Sequence, residues 1–106
     1  MMLYVYIHSM VGKVYKILPL KEEFDAGEDT HFKEYIDSLC ADAMGALETF
    51  PELRLMPAYI TVLNDLQFLN MCDFDHSTCK REVFKMIRLL QQAEHEIGGA
   101  SNEQEL

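Results

Sequence analysis

Cysteine is scarce in this chain, and its three cysteines are an odd number with no framework spacing. Small secreted domains that depend on disulfides carry paired cysteines, so the chain does not fit that class. Apolar residues also form no run near the roughly 20 residues that a membrane-spanning helix needs. With free thiols and seven methionines, the sequence predicts a soluble, cytoplasmic protein.

Basic residues are the second shortage. Nine lysines and arginines stand against 18 acidic residues, which gives a formal net charge of −9. A field of this sign repels phosphate backbones and attracts basic surfaces. We therefore expect a protein partner with a basic surface, and neither direct nucleic-acid binding nor membrane binding.

Motifs of catalytic and cofactor sites are absent as well. No glycine-rich phosphate loop is visible, and Gly98-Gly99 follows a helical pattern rather than a strand. The carboxylates lie in polar stretches with nothing apolar to shift their pKa values, as a catalytic acid requires. The sequence predicts a protein that is not an enzyme and holds no cofactor.

What the chain does have is a high apolar content at helical spacing. Hydrophobic residues make up 49% of its 106 residues, enough for a single domain, residues 1–106, with its own core. Apolar residues at steps of three and four predict helices near residues 30–50, 57–71 and 76–97, with residues 98–106 as a flexible tail. The predicted core comprises Ile36, Leu39, Leu63, Leu66, Val83, Ile87 and Leu90.

Residues 1–20 are ambiguous between strand and helix. Two β-prone runs flank residues 9–12 and fit a hairpin, while Val11, Val14 and Leu18 fit a helix. Met10 is also a possible start, and residues 1–9 would then be an extension outside the fold. Residues 21–29 read as a polar connector. The predicted fold class is mainly α: a small three- to four-helix antiparallel bundle with a short N-terminal β-hairpin or an extra helical element.

One stretch, residues 72–79, concentrates groups that could bind a metal or react. Cys72, His76 and Cys79 could form part of a metal or thiol sensor, but their spacing matches no established zinc pattern. The simpler interpretation places both thiols on apolar helix stripes. Asp75 then caps the third helix and Phe74 packs beside Cys79. We favour this interpretation and predict no metal site.

The acidic residues are the main functional hint. Residues 21–52 hold ten acidic residues and two lysines. Regularly spaced carboxylates can imitate a phosphate backbone and occupy a basic groove. This favours a non-enzymatic acidic interaction module, best fitted to inhibit or regulate a nucleic-acid-binding protein. The predicted partner-binding residues are Glu22, Glu23, Asp25, Glu28, Asp29, Glu34, Asp37 and Asp42.

The third helix carries a secondary candidate surface formed by Arg81, Phe84, Lys85 and Arg88. The three cations fall on its outward face, while Phe84 either anchors a partner or is covered by the N-terminal segment. Together with the second helix, this helix superficially resembles a helix-turn-helix, but four cations, these three and Lys80, in so acidic a chain are a weak footprint for DNA. The alternative function is a homo-oligomeric structural module, such as a homodimer. In size, acidity and helical make-up the chain is similar to accessory proteins of phages and mobile elements, a similarity of composition alone.

Overall fold

The structure is a computed structural model that describes residues 2–28 and 31–105, with side chains described as far as Ile97. These residues form five α-helices and one 3₁₀ turn, and the described ranges contain no strand. The mainly α bundle is therefore confirmed, and the N-terminal hairpin is wrong. The elements are α1 (Leu3–Tyr15), α2 (Ile17–Asp25), α3 (Phe32–Thr49), the 3₁₀ turn (Pro51–Leu55), α4 (Pro57–Met71) and α5 (His76–Glu105).

Helix α5 is the centre of the bundle, because α1, α2 and α4 all pack against it. Helix α3 completes the bundle by packing on α4 and α2. Contacts of His8 with Glu94 and of Tyr15 with Phe84 show that α1 runs antiparallel to α5. All seven residues predicted for the core are buried, and so are the seam positions of α5 from Cys79 to Ala93.

The N-terminal segment is helical because its apolar residues repeat at helical rather than strand spacing. Ile7, Met10, Val14 and Ile17 follow steps of three, four and three, and all four are fully buried. Burial of this seam outweighs the strand preference of the β-branched residues. Because Ile7 packs into the core, the described part of residues 1–9, from Met2 onward, belongs to the fold and is not an extension outside it.

Pro19 explains why this segment forms two helices instead of one. A proline has no N–H to donate to the carbonyl four residues earlier, here that of Tyr15, and its ring clashes with that carbonyl. Helix α1 accordingly ends at Tyr15, and Lys16 is a turn residue whose N–H still bonds the Gly12 carbonyl at 3.1 Å. Pro19 then lies in the first turn of α2, where its missing donor is tolerated.

Residues 21–25 are the end of α2, so the predicted connector is shorter than expected. The Glu28 N–H bonds the Glu23 carbonyl, and the Gly27 N–H bonds the Phe24 carbonyl, both at 3.0 Å. This is a Schellman motif, which needs a left-handed residue at the position of Gly27, and its φ is +87°. Asp29, predicted as a binding residue, and Thr30, at the predicted start of the helix near residues 30–50, lie outside the described residues.

Prolines mark the start of α4 and the end of α3, as predicted. Pro57 is the first residue of α4, and Pro51 begins the 3₁₀ turn two residues after α3 ends at Thr49. Asp75 caps α5, since its carboxylate accepts the Thr78 N–H at 2.8 Å. The end of α5 differs, because the helix bounds run past Gly98-Gly99 to Glu105. An isolated pair of glycines weakens a helix without having to end it.

Candidate functional site

The predicted acidic residues divide into two groups in the structure. Glu22, Glu23, Glu28 and Glu34 are exposed where α2 ends and α3 begins, and we call these four the acidic corner. Among the described residues, no cation pairs with Glu22, Glu23 or Glu28. Glu34 lies 3.8 Å from the ring of His31, and both side chains are exposed. The acidic corner is therefore a set of hydrated carboxylates available to a partner.

The remaining described members are engaged within the protein. Asp25 accepts a hydrogen bond from Lys21 at 2.7 Å. Asp37 accepts one from Asn70 of α4 at 3.2 Å, whereas Asp42 lies 3.5 Å from Lys13 of α1. Because Asp37 and Asp42 contact different neighbouring helices, they lie on opposite flanks of α3. The seven described residues of the predicted set do not form one continuous face.

The position of the acidic corner opposes the local helix electrostatics. The carbonyl end of a helix carries partial negative charge and favours cations nearby. The last turn of α2 instead contains no basic residue, and Glu22, Glu23 and Asp25 all lie close to its end. Asp25 bonds Lys21, but Glu22 and Glu23 in this place repel the helix terminus as well as each other, so folding does not explain these two carboxylates.

The metal and thiol alternative gains no support from the geometry. No three His, Cys, Asp or Glu residues within the described ranges are grouped so as to hold a metal ion. Cys72 and His76 are exposed, while Cys79 is fully buried on the seam of α5. Burial raises the pKa of Cys79 to about 11, which keeps the sulfur protonated at neutral pH and makes it a poor ligand and nucleophile.

The secondary surface on α5 is only partly outward-facing. Arg81 and Arg88 are exposed, but Lys85 turns towards α4, with its ammonium 3.3 Å from Asp65 and 3.7 Å from Glu82. Burial raises the pKa of Asp65 against the lowering effect of Lys85. Lys85 therefore faces outward only in part: its side chain is 41% exposed, while its ammonium pairs with two mostly buried carboxylates between α4 and α5.

Phe84 is half covered by the N-terminal segment. Tyr15 of α1 meets its ring edge-on at a centroid distance of 6.1 Å. Phe84 remains 40% exposed and Tyr15 51% exposed, so the contact leaves an aromatic pair on the surface. Phe84 is therefore partly covered by the N-terminal segment and partly exposed, because α1 contacts the ring without enclosing it.

A feature that the sequence analysis missed is a buried lysine. Lys21 is 6% exposed, and it is the one charged residue in the core of the described chain. Its ammonium lies over the rings of Phe74, Phe24 and Phe32, at 5.1, 5.5 and 5.9 Å from their centroids. Cation–π attraction of this kind strengthens when the ammonium is removed from water, and Asp25 supplies the counter-charge.

A cavity of about 260 Å³ lies beside this lysine. Its walls come from α2, α3, the end of α4 and the connection to α5. Apolar and polar groups share the walls about equally, and Lys33, Asn70, Cys72 and Asp73 contribute polar groups beside Lys21. The lining residues are Lys21, Phe24, Phe32, Lys33, Ile36, Leu69, Asn70, Met71, Cys72, Asp73 and Phe74.

Comparison of the chain with protein-family models, with curated proteins and with solved structures found no match. Among the described residues, no helix combines the length and the apolarity that crossing a membrane requires. The function must therefore be argued from the acidic corner and from the lysine cavity. The first offers unpaired negative charge to a partner, and the second offers an enclosed ammonium to a ligand.

Proposed function

We propose that this protein is a non-enzymatic interaction module whose acidic corner binds a protein with a basic surface. A nucleic-acid-binding protein fits this role best, since its basic groove is built to accept closely spaced negative charges. Binding at that groove would make the module an inhibitor or regulator. A net charge of −9 adds long-range attraction that speeds the encounter with such a partner.

One observation carries the proposal, namely the carboxylates at the end of α2. Glu22 and Glu23 lie where the helix terminus disfavours negative charge, and no described cation offsets them. Natural sequences break such local rules mainly at functional sites. A solvated surface could keep the protein soluble with acids at any other position, so solubility does not explain this placement.

The test uses a charge reversal with a matched control. Tagged wild-type protein and the E22K/E23K variant are used to purify binding proteins from the native host, with quantitative mass spectrometry as the readout. We expect a strongly basic protein to be enriched by the wild type and lost by at least about tenfold in the variant. The enrichment should also fall steeply between low and high salt, as expected for partly exposed charge pairs.

The control variant is E52K/E96K, which changes the net charge by the same amount at exposed positions away from the acidic corner. It should retain most of the binding. Equal loss in both variants would mean that net charge alone matters, and full retention by E22K/E23K would refute the acidic corner as the binding surface.

A further inference from the structure

We propose that the cavity beside Lys21 binds a small organic monocarboxylate with an apolar body, such as an aromatic or branched-chain acid. This site is separate from the exposed carboxylates of the acidic corner and has the opposite charge preference. The inference does not depend on the proposed protein partner.

Lys21 provides the charged group that such a ligand needs. Its ammonium has three N–H donors, and the Asp25 carboxylate accepts from one of them at 2.7 Å. Among the described residues no second acceptor bonds it, and three aromatic rings surround it instead. A ligand carboxylate would accept the remaining N–H groups in a site where little water competes.

The rim of the cavity supplies a second cation. Lys33 lines the cavity and lies 3.4 Å from Asp73, which also lines it. The side chains of this pair are 69% and 99% exposed, so the pair is worth little and opens readily. An incoming carboxylate can therefore take the place of Asp73 beside Lys33.

Charge and size together define the ligand class. Lys21 and Lys33 against Asp73 give the lining of the cavity a net charge of +1, and Asp25, which is not part of the lining, offsets part of the charge of Lys21. A single negative charge fits this balance, whereas a phosphate dianion would leave excess negative charge beside two aspartates. The cavity volume of about 260 Å³ is below the roughly 300–1,000 Å³ of sites for drug-sized ligands, which leaves room for one ring or a branched chain.

The walls select an apolar body over a polar one. Phe24, Phe32 and Phe74 present aromatic surface, and Ile36 and Leu69 add aliphatic surface. A ring stacked on these side chains loses contact with water on most sides, which is the main driving force for binding small ligands. A short hydrophilic acid such as acetate would lack this contribution.

Phenylacetate and its neutral isostere phenylacetamide are the probes for the test. Each is titrated into uniformly ¹⁵N-labelled wild-type protein, and amide shifts are followed by NMR. We expect phenylacetate to shift the backbone amide signals of residues 32, 33 and 72–74. Phenylacetate should also bind at least about tenfold more tightly than phenylacetamide, because only the carboxylate makes charge-assisted hydrogen bonds. Equal affinities, or shifts confined to other surfaces, would refute the proposal.

Three variants separate the cavity from general electrostatics. Lys21→Met removes the ammonium and should weaken phenylacetate binding by about tenfold or more, while Lys13→Met, which lies beside Asp42 and does not line the cavity, should leave it unchanged. Cys72→Trp fills the mouth of the cavity from an exposed position and should abolish binding while Lys21 is intact. If Lys21→Met does not fold, the proposal is tested by the Cys72→Trp variant and by the comparison of phenylacetate with phenylacetamide. Unchanged binding in Cys72→Trp would contradict the site.

Discussion

Asp75 shows how one carboxylate can decide where a helix begins. The first N–H groups of α5 have no partner within the helix, and the Asp75 carboxylate accepts the Thr78 N–H at 2.8 Å. This backbone hydrogen bond is the main reason that the pKa of Asp75 lies below the usual value for aspartate. The charged form of Asp75 is therefore the one that the folded protein favours.

Replacing Asp75 with Ala should lower the melting temperature at pH 7, because the Thr78 N–H loses its acceptor. A carboxyl whose pKa is lowered on folding stabilises the protein above its unfolded pKa of about 3.9, and this stabilisation is lost as the pH falls through the folded value. The difference in melting temperature between wild type and variant should therefore be full at pH 7 and shrink below about pH 4. Circular dichroism melts over this pH range measure it.

Asp73→Ala is the matched control, since Asp73 precedes the same helix but contacts only the exposed Lys33 among the described residues. It should change the melting temperature little at any pH. A pH-independent loss in Asp75→Ala would show that the variant acts through something other than the charged cap.

For single residues, the sequence predicted a structural role correctly where that role depends on the residue's immediate neighbours in the chain. Asp75 could be identified because a cap is defined by the three residues that follow it. Phe74 was predicted to pack beside Cys79, and the structure adds contacts of its ring with the ring of Phe32 and the ammonium of Lys21. Lys21 itself was missed, because a lysine beside a run of acidic residues normally lies in water.

The buried position of Lys21 could nevertheless have been inferred from the apolar spacing of the N-terminal segment. Ile7, Met10, Val14 and Ile17 step by three, four and three, and a further step of four reaches Lys21. The seam position places the lysine inside the bundle, where Phe24, Phe32 and Phe74 surround it. The rings come from three different elements, so no local window of sequence could have shown that they meet.

At the scale of the element, α2 depends on the glycine that ends it. Gly27 has a φ of +87°, and an added Cβ would meet no atom within 4 Å, so backbone strain alone opposes a side chain there. A non-glycine residue in the left-handed region is disfavoured by about 1–2 kcal/mol. The Schellman motif fixes this conformation through the Glu23 and Phe24 carbonyls.

Gly27→Ala should therefore reduce the free energy of unfolding by about 1 kcal/mol in urea titrations. Gly45→Ala is the matched control, because Gly45 lies within α3 and its added Cβ would also meet nothing within 4 Å. There the same change should stabilise by about 0.5–1 kcal/mol, as Ala loses less entropy in a helix. Opposite signs are the expected result, and destabilisation by both replacements would contradict this account of Gly27.

The elements were predictable where an amphipathic pattern was long and bounded. The start and end of α4 follow from Pro57 and from a wide apolar stripe, and both agree with the structure. The N-terminal segment could not be decided, because Val5, Ile7 and Val14 favour strands locally while Pro19 interrupts the helical pattern. Packing on α5 and α3 resolves the ambiguity, and this contact is invisible within a window of 20 residues.

On the scale of the whole molecule, the dominant property is an uneven charge. The acidic corner concentrates carboxylates at one junction, whereas Arg81 and Arg88 lie exposed along α5. Self-repulsion within a net charge of −9 opposes the compact state and weakens as salt screens it. If the acidic corner exists to bind a partner, the free protein keeps it at a cost in stability.

The E22K/E23K variant tests whether the acidic corner lowers the stability of the free protein. Replacing both carboxylates with ammonium groups removes repulsion and puts favourable charge at the end of α2, which should raise the free energy of unfolding by about 0.3–1 kcal/mol per residue at low salt. The gain should decline as NaCl is raised to about 1 M, where the Debye length is about 3 Å. E52K/E96K relieves the same net charge without placing cations at the end of α2, so it should gain less. A variant that binds no partner yet is more stable would identify the corner as kept for recognition, and one that is less stable would assign these carboxylates a role in the fold.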